Sequence, residues 1–228
     1  YIPTVAAATE VRLMLDRTIR EIKKYSNKNI KIAFDEWNTY VEATPPYFIE
    51  NYNIADAIYA ASLLNACINR GDIITNTGIY HLINVMGNYR IEKKKIWKTP
   101  TTLVLELYTK FHKGKILKSV VNSSNFVSFK LGKQPEYKNN KIIDSAVTMN
   151  GKHMCMSVVN KSSSEKILLK VPYLDRIAEN YCIEGSNKVD LNTYANTSKV
   201  KIKKNSLKTS KGFLILPPHS ISVVLFNI

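Results

Sequence analysis

Cysteine is scarce in this chain of 228 residues: Cys67, Cys155 and Cys182 are odd in number and far apart, with no CxxC pair and no histidine at zinc-ligand spacing. Neither a disulfide framework nor a Cys/His metal site is expected, and the three thiols read as free and buried. Glycine and proline are also few, at 8 each, which excludes collagen-like and low-complexity chains. No run of 18 or more apolar residues offers a membrane span, and the first residues carry no basic and apolar leader pattern. Acidic residues are the scarcer charge, 18 against 33 lysines and arginines, for a formal net charge of +15. Such a charge would suit a nucleic acid or an anionic polysaccharide. The basic residues are nevertheless spread in short clusters, such as Lys93 to Lys95 and Lys201 to Lys204, among many Asn and Ile. They read as compositional bias, and neither a nucleic-acid nor a membrane partner is expected.

What is present is an ordinary globular composition, 45% hydrophobic and 22% charged, in a chain long enough to bury a core without staples. Over residues 5–25 the apolar positions Val11, Leu15, Ile19 and Ile22 recur at helical spacing, and Lys23 and Lys24 fall in the last turn, where the helix dipole favours cations. The short apolar run "IKIAF" then reads as a strand covered on both faces, the signature of a parallel sheet. A second helix is expected over residues 54–69, with Asn53 as N-cap, Asp56 in the first turn and Gly71 as a stop. "DIITNTG" supplies another strand, and Thr99 with Pro100 opens a third helix that closes near Gly114. Helix, strand, helix, strand, helix implies βα units around a parallel sheet.

Beyond about residue 115 the pattern changes to short, alternating segments separated by Gly, Asn, Ser or Pro, among them "IIDSAVTM", "HMCMSVVN", "AENYCIEG" and "FLILPPHSISVVLFNI". This predicts an all-β sandwich or barrel, with Pro217 and Pro218 placing the final strand at a sheet edge. The expected division is residues 1–112 as an α/β part and residues 113–228 as an antiparallel β-sandwich, so the fold class is α/β plus all-β.

The chemistry concentrates in "IKIAFDEWNTY", where an apolar strand runs into Asp35, Glu36, Trp37 and Asn38. In a parallel βα barrel the C-terminal ends of strands line the active site. Neighbouring residues on an extended segment diverge, so one of the two carboxylates faces the mouth while the other braces the loop. A strand-end carboxylate capping a turn is the simpler alternative. Against it stand Trp37 and Tyr40, whose flat faces suit sugar rings, and Asn38, whose amide suits hydroxyls.

"KIAFDEWNTY" resembles the nucleophile strand of glycoside hydrolase family 51, the α-L-arabinofuranosidases, in which a Glu in an F-D-E-W-N motif ends the seventh strand of a (β/α)8 TIM barrel. The likeness continues through "NIADAIYAASLLNACINRGDIITNTGIYHLINVM", "WKTPTTLVLELYTKFHKGKIL", "LNTYANTSKV" and "LILPPHSISVVLF", covering nearly the whole chain. It implies the last two strands and flanking helices of the barrel (residues 1–112) followed by a jelly-roll-like sandwich (residues 113–228). It further implies a retaining, exo-acting enzyme with Glu36 as nucleophile, acting on arabinan, arabinoxylan or their oligosaccharides. No metal or organic cofactor is implied, since the chemistry runs on two carboxyl groups.

The family's acid/base Glu sits in a G-N-E motif after the fourth strand, and no G-N-E occurs here. Asp35 points the wrong way to replace it, and nothing else supports Glu42 or Glu50. The chain therefore resembles a C-terminal portion whose partner is the missing N-terminal portion of the same enzyme. His81 stands where many relatives carry a sugar-binding Gln, and is either a substrate contact or a packed loop histidine. Tyr40 replaces a Trp of many relatives, Asp35 and Asn38 match, and Trp97 reads as core. The resemblance also implies a cytoplasmic homo-oligomer. The readings from other classes are a non-catalytic carbohydrate-binding or assembly module built on the sandwich, and a basic nucleic-acid-binding protein.

Overall fold

In a computed structural model, residues 1–40 and 51–228 are described. Glu42 and Glu50 lie outside them. Helix α1 spans Ile2–Tyr25, with a proline in its first turn and Lys23 and Lys24 in its last. Strand β1 (Ile32–Trp37) pairs in parallel with β2 (Ile74–Ile79), and between them runs α2 (Ile54–Ile68). The crossover expected from the sequence is therefore present. The strand is not covered on both faces, however: Ala33, Asp35 and Glu36 are exposed, because among the described residues β2 is the only strand beside β1.

Helix α2 begins with a reciprocal capping box. Asn53 Oδ1 accepts from the Ala55 N–H at 2.7 Å, while Asp56 Oδ2 accepts from the Asn53 N–H at 2.8 Å, so two orphan donors of the first turn are satisfied. Apolar and small residues surround this helix on every side, and it is buried almost throughout. It packs against α1, β2 and α3 (Pro100–Phe111) and, on its remaining side, against the β-sheet of the second half.

An antiparallel hairpin that the sequence reading did not include, β3 (Tyr89–Glu92) and β4 (Lys95–Lys98), lies between β2 and α3. Lys93, at φ 52°, makes its turn. After α3 come β5 (Lys115–Leu117), the pair β6 (Asn125–Ser128) and β7 (Tyr137–Lys141), and the long hairpin β8 (Ile143–Asn150) and β9 (His153–Asn160). These are followed by β10 (Ile167–Leu169), β11 (Ile177–Glu184), β12 (Lys201–Lys204), β13 (Lys208–Ser210), β14 (Phe213–Leu216) and β15 (Ser220–Asn227).

Six strands form one antiparallel sheet in the order β12–β11–β15–β9–β8–β5, and β10–β14–β13 form a second. Between the two sheets lie Met156, Val158, Val224 and Phe226 from one side and Leu214 and Leu216 from the other. On the opposite face of the six-stranded sheet, Cys155, Val159, Ile221 and Val223 join the helices in a common core with Ile58, Leu63 and Val104. Strands β9 and β15 are thus apolar on both faces, one against helices and one against the second sheet. This corrects the expected edge position of the final strand: β15 is central, and Pro217 and Pro218 end before it, where no ladder hydrogen bond is lost. A polar link crosses the helix–sheet junction at Asn65, whose Oδ1 accepts from Tyr108 Oη at 2.9 Å and Ser157 Oγ at 2.6 Å. All three cysteines are buried and unpaired, and burial pushes the Cys67 thiol up to about 11 and Cys155 and Cys182 to about 12.

Candidate active site

The C-terminal end of β1 is irregular where its two carboxylates stand. Phe34 pairs with Thr77 and Trp37 with Ile79, so three steps along β1 match two along β2. The extra residue falls at Asp35–Glu36, a bulge that re-aims side chains out of the regular pleat. Gly78 lies opposite, and a Cβ placed on it would approach the Asp35 carbonyl oxygen to 3.0 Å. The glycine lets the bulged backbone come close, and a glycine inside a strand was the one sequence signal for this feature. Asp35 and Glu36 are both exposed, and neither has a hydrogen-bond or ion-pair partner among the described residues.

Trp37 faces the other way. It is only 5% exposed, its ring packs in the core beneath the bulge, and its indole N–H donates to Thr77 Oγ1 at 2.6 Å. Its role in the structure is to anchor β1 to β2, with no open face for a ligand. Asn38 is likewise committed: its Nδ2 donates to the carbonyls of Tyr80 at 3.1 Å and Met86 at 2.8 Å, and its Oδ1 accepts from the Thr39 N–H. The amide thereby ties the exit of β1 to both ends of the loop after β2. Thr39 continues this anchoring, donating from Oγ1 to Asp56 Oδ1 at 2.8 Å at the start of α2.

Tyr40 is 57% exposed at the end of the described segment. His81 is exposed at φ 63°, two residues beyond the last β2 residue, with its ring 3.8 Å from that of Tyr80. The backbone of Tyr80 donates to the Trp37 carbonyl at 2.9 Å, so the two parallel strands deliver Glu36 and His81 to the same end of the pair. Thr77, Gly78 and Asp56 were not singled out as site residues from sequence, since their part is to hold backbone at long sequence separation. No group of three or more His, Cys, Asp or Glu residues that could hold a metal occurs among the described residues. The site is therefore one of exposed carboxylates and ring side chains on a tightly braced strand end.

A family model described as the alpha-L-arabinofuranosidase C-terminal domain matches residues 35–220, from the bulge to the first residue of β15. The chain belongs to this family. Among solved structures, this arabinofuranosidase domain chain superposes over 100% of its length on the α-L-arabinofuranosidase from Thermotoga maritima, with a TM-score of 0.82 at 22% identity. It likewise superposes on the GH51 enzyme from Thermotoga petrophila with a TM-score of 0.83 at 23% identity. It spans 49% of each of those chains. A curated relative, the intracellular exo-α-(1→5)-L-arabinofuranosidase of Streptomyces lividans, is 24% identical over 193 residues, covering 77% of this chain and 28% of the relative. The chain thus corresponds to the C-terminal portion of the GH51 α-L-arabinofuranosidases and spans half or less of their length. No helix among its described residues is long and apolar enough to cross a membrane.

Proposed function

We propose that this chain is the C-terminal portion of a retaining, exo-acting α-L-arabinofuranosidase in which Glu36 is the nucleophile. The observation that carries the reading is the bulge: it sets an exposed Glu36, without a side-chain partner among the described residues, at the C-terminal end of a parallel strand, at the point where the family match begins. Glu36 attacks the anomeric carbon of a terminal arabinofuranosyl unit, and the bond from that carbon to the leaving oxygen breaks. A second carboxyl group, supplied from residues upstream of Tyr1, protonates that oxygen and then takes a proton from the water that hydrolyses the glycosyl-enzyme. Retention of configuration requires the two carboxyl groups to stand roughly 5 to 5.5 Å apart.

Residues 1–112 then form the last two strands of a (β/α)8 barrel with their helices, and residues 113–228 the sandwich. The exposed face of β1, and its having β2 as its one neighbouring strand among the described residues, fit a strand whose other side is met by the upstream half. Exposed Tyr40 and His81 are the sugar contacts in this reading, while buried Trp37 and committed Asn38 act by positioning the strand end. Arabinan, arabinoxylan and their oligosaccharides are the proposed substrates and a homo-oligomer the proposed form; a cytoplasmic location is proposed in keeping with the word intracellular in the name of the Streptomyces relative.

The test is hydrolysis of p-nitrophenyl α-L-arabinofuranoside by the full-length gene product and its Glu36→Ala variant. The variant is expected to lose on the order of 10³-fold or more in kcat. Activity retained in full would overturn the assignment.

A further inference from the structure

A cavity of about 720 Å3 opens between the β3–β4 hairpin and the segment 191–195 that leaves the sandwich. None of Asp35, Glu36, Trp37, Asn38, Tyr40 or His81 is among its described lining residues. Its walls are held rigidly. Trp97 Nε1 donates to the Asn192 carbonyl at 3.1 Å, Asn192 Nδ2 returns a bond to the Lys98 carbonyl at 3.0 Å, and Lys95 Nζ reaches the Tyr194 carbonyl at 3.1 Å. Asn192 is further fixed by both backbone groups of Val200.

The described lining mixes three rings, the buried Tyr52 and Trp97 and the half-buried Tyr194, with polar groups, of which Arg90, Thr99 and Asn192 are buried. The rings of Trp97 and Tyr194 meet edge to face at 6.3 Å, and the buried Arg90, whose Nη1 holds the Val85 carbonyl, stands 5.9 Å from the Tyr52 ring centre. Asn84 gives its Oδ1 to the Ile91 N–H, which leaves its NH2 group for a ligand, and the Tyr194 hydroxyl has no protein partner among the described residues. Arg90 and Glu92 are the charged residues in the described lining, and beside it the ammonium groups of Lys93 and Lys95 stand 5.4 and 4.4 Å from the Tyr194 ring centre. A pre-formed cavity of this size that combines ring side chains with several convergent hydrogen-bonding groups suits a ligand having both C–H faces and hydroxyl groups. A sugar ring has both.

We propose that this cavity is a second sugar site, which takes a glycosyl unit of an arabinofuranosyl-bearing chain. The identity of that chain rests on the function proposed above. One hydrogen bond links the cavity lining to the strand end that carries the candidate nucleophile: Tyr52 Oη donates at 3.1 Å to the carbonyl of Thr39, three residues after Glu36. A polymer engaging both sites would be held while its terminal unit is cleaved.

The test is isothermal titration of the full-length protein carrying Glu36→Gln with linear α-1,5-arabinotriose. Tyr194→Ala removes one wall, and Ala195→Trp, at an exposed lining position without hydrogen bonds, fills the cavity. Two sites per chain are expected in the Glu36→Gln protein. Ala195→Trp should leave one, and Tyr194→Ala should weaken the second by about tenfold. A single site in the starting protein, or two undiminished sites in Ala195→Trp, overturns the proposal even if Tyr194→Ala weakens binding. Hydrolysis of p-nitrophenyl α-L-arabinofuranoside by the protein with Glu36 intact reports the catalytic reading separately. An inactive enzyme with cavity-dependent binding sinks that reading alone, and an active enzyme without cavity-dependent binding sinks this one alone.

Discussion

Replacing Thr77 by Val removes one hydroxyl beneath the candidate nucleophile and changes little else in volume. Trp37, 5% exposed, directs its indole N–H at that hydroxyl over 2.6 Å, and the surrounding core offers the N–H no other partner among the described residues. The variant leaves a buried donor unsatisfied, at a cost of about 1–3 kcal/mol. Urea denaturation followed by tryptophan fluorescence and circular dichroism measures the loss. The decisive control is a double-mutant cycle with Trp37→Phe, in which no N–H remains to be stranded. Thr77→Val should then cost under about 0.5 kcal/mol, giving a coupling energy of roughly 1 kcal/mol or more. Equal losses in the two backgrounds would refute the reasoning, because the effect would then come from Thr77 itself rather than from the anchor it provides.

Two further outcomes follow from the same geometry. Gly78→Ala places a Cβ about 3.0 Å from the Asp35 carbonyl oxygen. It should cost about 1–2 kcal/mol in denaturation and lower kcat of the full-length enzyme by about tenfold or more, since the bulge carrying Glu36 must shift; unchanged kcat would show that the bulge does not aim the carboxylate. His112, at the end of α3, is pushed down from 6.5 to about 4 by burial, with its Nδ1 3.1 Å from Thr148 Oγ1. The unfolded chain takes up this proton near pH 6.5 and the folded chain only near pH 4, so between those values the unfolded state binds more protons and stability falls as pH falls. The loss is at most about 1.4 kcal/mol per pH unit, and so at most about 3.5 kcal/mol over the window. His112→Gln should flatten that part of the stability profile, and an unaltered slope would rule out His112 as its source.

Much of the architecture was legible because it is written in local patterns. The spacing of Val11, Leu15, Ile19 and Ile22, the Asn53 cap with Asp56 three residues on, and Pro100 after Thr99 each mark a helix whose start or apolar face needs no distant partner. The hairpin β3–β4 escaped notice because "YRIEKKKIWK" is dominated by charge and turns at Lys93 without a glycine. The edge assignment of β15 failed for a different reason. Two prolines before a strand say that the chain turns there, while strand order depends on which of β9, β11 and β15 find one another. That is a question of long-range pairing, and it has no local signature.

At the candidate site the division is similar. The sequence by itself determined that two carboxylates, an indole and an amide end a β-strand, and that this grouping resembles the arabinofuranosidase nucleophile motif. Only the tertiary structure decided how the four side chains are divided. The bulge opposite Gly78 leaves Asp35 and Glu36 exposed, Thr77 draws Trp37 into the core, and the carbonyls of Tyr80 and Met86 occupy the Asn38 amide. Every one of those partners lies some forty or more residues away along the chain. Which face a side chain shows is therefore set by the β1–β2 register, and the register is a property of two strands together.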